Sequence, residues 1–197
     1  MLSIQPVSPL PEQLTTDRLL LRRWRDADRA PFAAINADPA VMEFFPDVLS
    51  ATQSDQTCDR IQQTFDTYGF GLWAVEVRSS QSFIGFIGLS VPHYETHFTP
   101  CLEIGWRLAS DHWGQGLATE GARAAMQFAQ HCLRAEEVVA MTATINVRSQ
   151  RVMEKLDMVR DPADDFDHPL VPPQHPVCPH VLYRRRFDGP QDGGAGD

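Results

Sequence analysis

Between residues 101 and 133 the apolar positions change from a period of two to a helical period of about 3.6, across a short turn with two glycines. In Cys101–Ala109, Leu102, Ile104, Trp106 and Leu108 fall on one face and Glu103, Gly105, Arg107 and Ala109 on the other, which predicts a strand. Over residues 115–133, Leu117, Gly121, Ala124, Ala125, Phe128 and Cys132 form a stripe at helical spacing, small enough to lie close on a sheet. Disordered, collagen-like and coiled-coil chains are excluded by composition as well: 43% of the 197 residues are hydrophobic and 22% charged, with 12 Gly and 15 Pro.

The rest of the chain supplies the other layers. Arg18–Trp24 reads as a first strand, and Asp26 as the N-cap of a helix through Phe32 to Ile35. Asp38-Pro39 has the chemistry of a helix start and predicts a short helix to Phe44. Ser54–Tyr68 is a further helix, and Leu72–Val77 and Phe83–Val91 form a hairpin. Val138–Ile145 is apolar or β-branched on both faces, as a central strand should be. Val147–Leu156 reads as a helix and Val181–Phe187 as a last strand. The order is that of an α+β fold with one mixed sheet. The expected organisation is a flexible lead-in at 1–13, one domain at 14–187 and a glycine-rich tail at 188–197.

A net charge of −9 argues against a phosphate-tracking nucleic-acid surface. No run approaches the roughly 20 apolar residues of a membrane helix. Cys58, Cys101, Cys132 and Cys178 are far apart and form no C-x-x-C pair, so reduced thiols and a cytoplasmic setting are expected. His168, His175, Cys178 and His180 fit no closed zinc spacing, and no metal is expected.

The turn Trp113-Gly114-Gln115-Gly116-Leu117-Ala118-Thr119-Glu120-Gly121 joins a strand to a helix N-terminus. Such a turn aims unpaired N–H groups and the positive dipole end at one point, an anion site, although glycines there also serve as plain turn residues. It lacks the G-K-[ST] of a P-loop, and Thr119 stands where a dinucleotide fingerprint needs its third glycine. The segment resembles the acyl-CoA pyrophosphate loop of the GNAT superfamily of N-acetyltransferases: Arg or Gln, two residues, Gly, one residue, Gly or Ala. Here it reads Trp113-x-x-Gly116-x-Ala118, with Trp in place of Arg or Gln. Glu103-Ile104-Gly105-Trp106-Arg107-Leu108, Ala118-Thr119-Glu120, Asn146-x-x-Ser149 and Glu154-Lys155-Leu156 resemble in particular the ribosomal-protein N-terminal acetyltransferase-like branch, with Asp157 in place of its usual Gly.

The resemblance implies a single-domain GNAT fold: a twisted mixed sheet of about seven strands, helices on both faces and a splayed strand pair. It implies acetyl-CoA as co-substrate, held through Gly114, Gln115, Gly116, Leu117, Ala118 and Thr119, with pantetheine in the splay and the Leu108 amide facing the thioester. In this branch Ser149 would protonate the sulfur and Asn146 would meet pantetheine; from the residues alone both equally suit a helix N-terminus. Glu103, an acid among apolar neighbours on a central strand, is the first candidate base, or else the ion-pair partner of Arg107. His168, in a proline-rich polar stretch, is the second. Phe44-Phe45-Pro46 and Tyr68–Trp73 read as core and turn, or as an acceptor pocket wall.

The expected activity is direct acetyl transfer to a primary amine, on a protein N-terminus or a small molecule, by a monomer or homodimer. The alternative keeps the fold as an acyl-CoA-binding sensor, which would need neither Glu103 nor Ser149.

Overall fold

The computed structural model describes residues 4–187. Its elements are β1 (Leu14–Thr15), β2 (Leu19–Arg22), α1 (Arg29–Ala37), α2 (Ala51–Tyr68), β3 (Leu72–Val77), β4 (Ser82–Ser90), β5 (Glu103–Leu108), α3 (Leu117–His131), β6 (Glu137–Ala143), α4 (Val147–Lys155), β7 (Val159–Arg160), β8 (Phe166–Asp167) and β9 (Pro179–Arg186). The nine strands form one sheet in the order β1-β2-β3-β4-β5-β6-β9-β7, with β8 also on β9. About seven were expected; β1, β7 and β8 are 2 residues each, too short for any alternation to register.

Cross-strand register sorts the side chains onto two faces. Phe86 lies opposite Arg107, Gly88 opposite Gly105 and Ser90 opposite Glu103, while Ile87 and Trp106, and Leu89 and Ile104, point the other way. α1 covers the first face through Phe32, whose ring centroid lies 5.9 Å from Phe86 and 4.9 Å from Trp24. The buried Arg22 guanidinium fixes that layer, donating to both Asp28 oxygens at 2.7 and 2.9 Å and to Glu76 at 2.9 Å. α3 covers the second face so closely that a Cβ on Gly121 would lie 2.5 Å from Ile87 Cδ1, which explains the small-residue stripe.

β5 and β6 are parallel and share a single register pair, Glu103 with Val139. Every other pairing in the sheet is antiparallel. Val139 N donates to Leu102 O and Ala109 N to Ile84 O, so along β5 the even residues turn their backbone groups toward β6 and the odd ones toward β4. The same register pair takes Ile104 N to Val139 O, so beyond residue 104 the N–H groups of Trp106 and Leu108 face an opening.

Two expectations need correction. Residues 39–44 form turns rather than a helix. Asp38 Oδ1 takes Ala40 N, its carbonyl takes Val41 and Met42 N, and with Pro46 close behind nothing carries the single turn further. α2 starts at Ala51, capped by the reciprocal Ser50–Gln53 pair, rather than at Ser54. Within the segment expected to be a flexible lead-in, Gln5 N and Val7 N donate to Leu133 O and Cys132 O, so this stretch lies against the end of α3. The tail expected at 188–197 lies outside the described residues.

Candidate active site

A cavity of about 730 Å³ opens where β5 and β6 part. Leu108, Gly114, Gly116, Leu117, Ala118, Thr119, Asn146 and Ser149 line it, together with Glu103 and His168. Ten of the eleven residues singled out in the sequence thus meet in one space; Gln115 does not line it. The Gln115 side chain donates to Asp111 O at 3.2 Å, leaving only its main chain for the loop.

The loop owes its shape to backbone conformation. Gly114 and Gly116 are left-handed at φ 72° and 77°, although a Cβ would meet nothing within 4 Å at Gly114 and only Arg18 Nη2 at 3.7 Å at Gly116. Glycine is there for the φ angle, not to relieve crowding. Among the described residues, no N–H from Gly114 through Thr119 finds a protein acceptor, and the first bond of α3 is Glu120 N to Gly116 O. Glu120 fixes this helix start by accepting from Arg18 N and Nε at 2.9 and 2.6 Å and from Thr16 Oγ1 at 2.6 Å. Trp113 is held by its indole N–H on Leu108 O at 2.9 Å, with the Arg148 guanidinium 4.7 Å over its ring. The row of free donors at a helix start is suited to a diphosphate.

At the start of α4, Asn146 Oδ1 accepts from Ser149 N at 3.2 Å while its Nδ2 donates to Thr142 Oγ1 at 2.9 Å and Ser149 Oγ at 3.1 Å. The capping bond fixes which way the amide points. Ser149 Oγ is therefore an acceptor within the protein, and its own hydrogen is unspent and faces the cavity.

Glu103 occupies the other end, with Ser90 Oγ donating to it at 3.2 Å. Burial pushes its carboxyl up to about 7, the Ser90 bond pulling slightly the other way. The alternative ion pair with Arg107 does not form: the two are four residues apart on an unbulged strand, roughly 13 Å at strand rise. Tyr94 stacks on His168 at 4.9 Å and His168 on His180 at 4.8 Å. Burial, and secondarily His180, hold the His168 imidazole down at about 4. Among the described residues no group of three His, Cys, Asp or Glu side chains is placed to hold a metal.

Residues 18–159 match the family model described as an acetyltransferase (GNAT) domain. The chain belongs to the GNAT acetyltransferase superfamily. It is 31% identical to the uncharacterized protein YkkB of Bacillus subtilis strain 168 over 147 residues, covering 74% of this chain and 84% of that one. It is 28% identical to the uncharacterized N-acetyltransferase YoaA of the same strain, covering 75% and 83%. Among solved structures, a GNAT-family acetyltransferase from Bacillus anthracis superposes with a TM-score of 0.72 at 20% identity, covering 88% of this chain and 98% of that one. The ribosomal-protein-S5-alanine acetyltransferase from Vibrio fischeri gives 0.70 at 13% identity, covering 89% and 97%, a likeness of fold alone.

The aromatic segments of this acetyltransferase divide between their two readings. Phe44, Phe45 and Pro46 line the cavity, whereas Phe70 and Trp73 are fully buried in the core. The sequence reading missed Ser90 and Tyr94, which long-range register and a loop bring to Glu103; no local pattern marks either. Arg107 it considered only as a partner for Glu103.

Proposed function

We propose that this GNAT acetyltransferase transfers an acetyl group from acetyl-CoA directly to a primary amine. The observation that carries the reading is the parted β5–β6 pair with unpartnered donors along its edge and at its mouth. Acetyl-CoA would supply the acyl group as a thioester. In this reading the N–H groups of Gly114 through Thr119 receive the diphosphate, the gap takes the pantetheine arm, and Leu108 N–H donates to the carbonyl oxygen. The amine nitrogen forms the new C–N bond as C–S breaks. Ser149 Oγ–H gives its proton to the departing sulfur, Glu103 takes the amine's proton through water, and Ser149 is reprotonated from that water, which returns both side chains to their starting states. With β5 unbulged, Glu103 cannot reach the Leu108 end directly, so its role requires that relay. His168, neutral but held near 4, is the weaker base at pH 7, where a group near 7 is better matched.

The finer assignment to the ribosomal-protein N-terminal branch rests on the motif words in β5 and α4, and a protein N-terminus is one acceptor class to test. The discriminating experiment is a screen of amine classes with acetyl-CoA, reading release of free CoA thiol. Amine-dependent release is expected. Tight acetyl-CoA binding with no release for any amine would favour the sensor reading instead.

A further inference from the structure

Arg107 is a partly buried cation that the protein leaves without a carboxylate partner. Its Nε is shut off from solvent and bonds to nothing among the described residues. Nη1 donates to Asn36 Oδ1 at 2.6 Å, and Asn36 is itself oriented by its Nδ2 donating to Ser54 Oγ at 2.9 Å. The flat faces are covered by Phe45, 4.2 Å away at the ring centroid, and by Phe86 at 5.5 Å. Every group that holds the guanidinium is neutral. Burial alone acts on its acidity, pulling it down to about 10 with no carboxylate to offset that.

This is unusual within the same chain. The fully buried Arg22 has Asp28 and Glu76, and Arg184, partly buried like Arg107, has Asp164 and Glu137. Asp38, Glu43 and Glu103, acids of the segments around the cavity, are committed elsewhere: Asp38 to Ser110 Oγ at 2.8 Å, Glu43 to Arg148, and Glu103 to Ser90. A desolvated charge without a counter-ion is costly, and a planar fork held in place by aromatic faces is pre-shaped for a carboxylate. Arg107 lines the cavity, on the same face of β5 as Glu103. Between them lies Gly105, where a Cβ would meet only Leu72 at 4.0 Å, so the floor from one to the other carries no side chain.

We infer that Arg107 determines specificity by binding a carboxylate of the acceptor, so that the substrate class is amines that also carry a carboxylate: amino acids, short peptides or ω-amino acids. The inference rests on the acetyl-transfer reading above and names its acceptor. The amine is directed toward the thioester carbonyl at Leu108, next to Arg107 on β5, its proton leaving toward Glu103 by the water relay, while the carboxylate, a few bonds away on the same molecule, meets Arg107.

The test compares amino acids and dipeptides with their own carboxamides, which keep shape and amine and lose only the negative charge. Wild type should show at least a tenfold higher kcat/KM for the acids. Arg107→Met should bring that ratio to near one, chiefly by raising KM for the acids, and Arg107→Lys should restore part of it. A role in merely bracing Phe45 and Asn36 would lower acid and amide together and leave the ratio intact, which overturns the inference. Equal use of acids and amides by wild type overturns it too. So does an Arg107→Met variant that loses acetyl-CoA affinity by calorimetry while keeping the wild-type ratio of acids to amides, since the anion served would then be a phosphate of CoA. In these outcomes acetyl transfer still occurs. Absence of both acetyl-CoA binding and thiol release would instead remove the acetyl-transfer reading, and the inference with it.

Discussion

At the scale of single residues, Glu103 and Ser149 do different work and should fail differently. Ser149 holds an unspent O–H beside Asn146, so Ser149→Ala should lower kcat by roughly 10- to 100-fold, the low end of acid–base contributions, with little change in acetyl-CoA affinity. Steady-state kinetics with calorimetry checks the split. Glu103 has two signatures because its carboxyl sits near 7 rather than 4.5. As a base it must be ionised, so kcat/KM should rise with pH through about 7, and Glu103→Gln should flatten that rise. For stability the sign is opposite: the folded state holds the proton longer than the unfolded chain, so stability falls as pH climbs from about 4.5 to 7. Glu103→Gln should thus melt higher than wild type above pH 7 and show little gain below pH 4, in melts run across that range. If His168→Ala removes the kinetic rise and Glu103→Gln does not, the imidazole is the base.

At the scale of elements, the loop before α3 depends on backbone conformation. Gly116→Val places a β-branched residue at φ 77°, which costs about 1–3 kcal/mol and turns the free amides away from their common target. Acetyl-CoA affinity should fall at least tenfold, whereas Gly116→Asn, which tolerates this conformation, should keep most of it. Unchanged affinity in a folded Val variant would count against the loop as the diphosphate site. The elements legible in the sequence were those with a long, clean period: β5, α3, the β3–β4 hairpin and α4. Those that were not are set by partners. β1, β7 and β8 exist only because a neighbouring strand is there to pair with, and residues 39–44 look helical until Phe44 and Phe45 are drawn over Arg148 and Arg107. The loop and the α4 cap were legible because glycine, asparagine and serine act locally. Ser90, Tyr94 and the unmatched Arg107 were not, because each is defined by register or by what fails to pair with it.

At the scale of the molecule, the sheet consists of two antiparallel blocks, β1–β5 and β6–β9, joined by one parallel register pair. The seam is the weakest line in the sheet, since its β5 backbone donors beyond residue 104, on Trp106 and Leu108, have no strand beside them. In the proposed reaction a ligand entering it would replace missing ladder bonds and tie the blocks together, with its diphosphate where α3 begins. The chain carries a net charge of −9, yet Arg123 and Lys155 stand beside Gly116 and Thr119, with Arg18 paired to Glu120, so this cleft is less acidic than the surface at large and a polyanion should meet less repulsion there. Binding to the folded state alone at one hundred times Kd adds about 2.7 kcal/mol. For a domain of this size, that corresponds to a Tm increase of roughly 5–10 °C. Acetyl-CoA should produce that shift, while ATP and NAD, which share the diphosphate and lack a pantetheine arm to fill the seam, should produce little. Hydrogen exchange gives the same comparison locally: the amides of Trp106 and Leu108 should exchange faster than those of Ile104, Gly105 and Arg107 in the free protein and become protected with acetyl-CoA. An equal Tm shift with ATP, or acetyl-CoA binding that leaves these amides unprotected, would place the ligand at the mouth alone and remove the seam from the binding site.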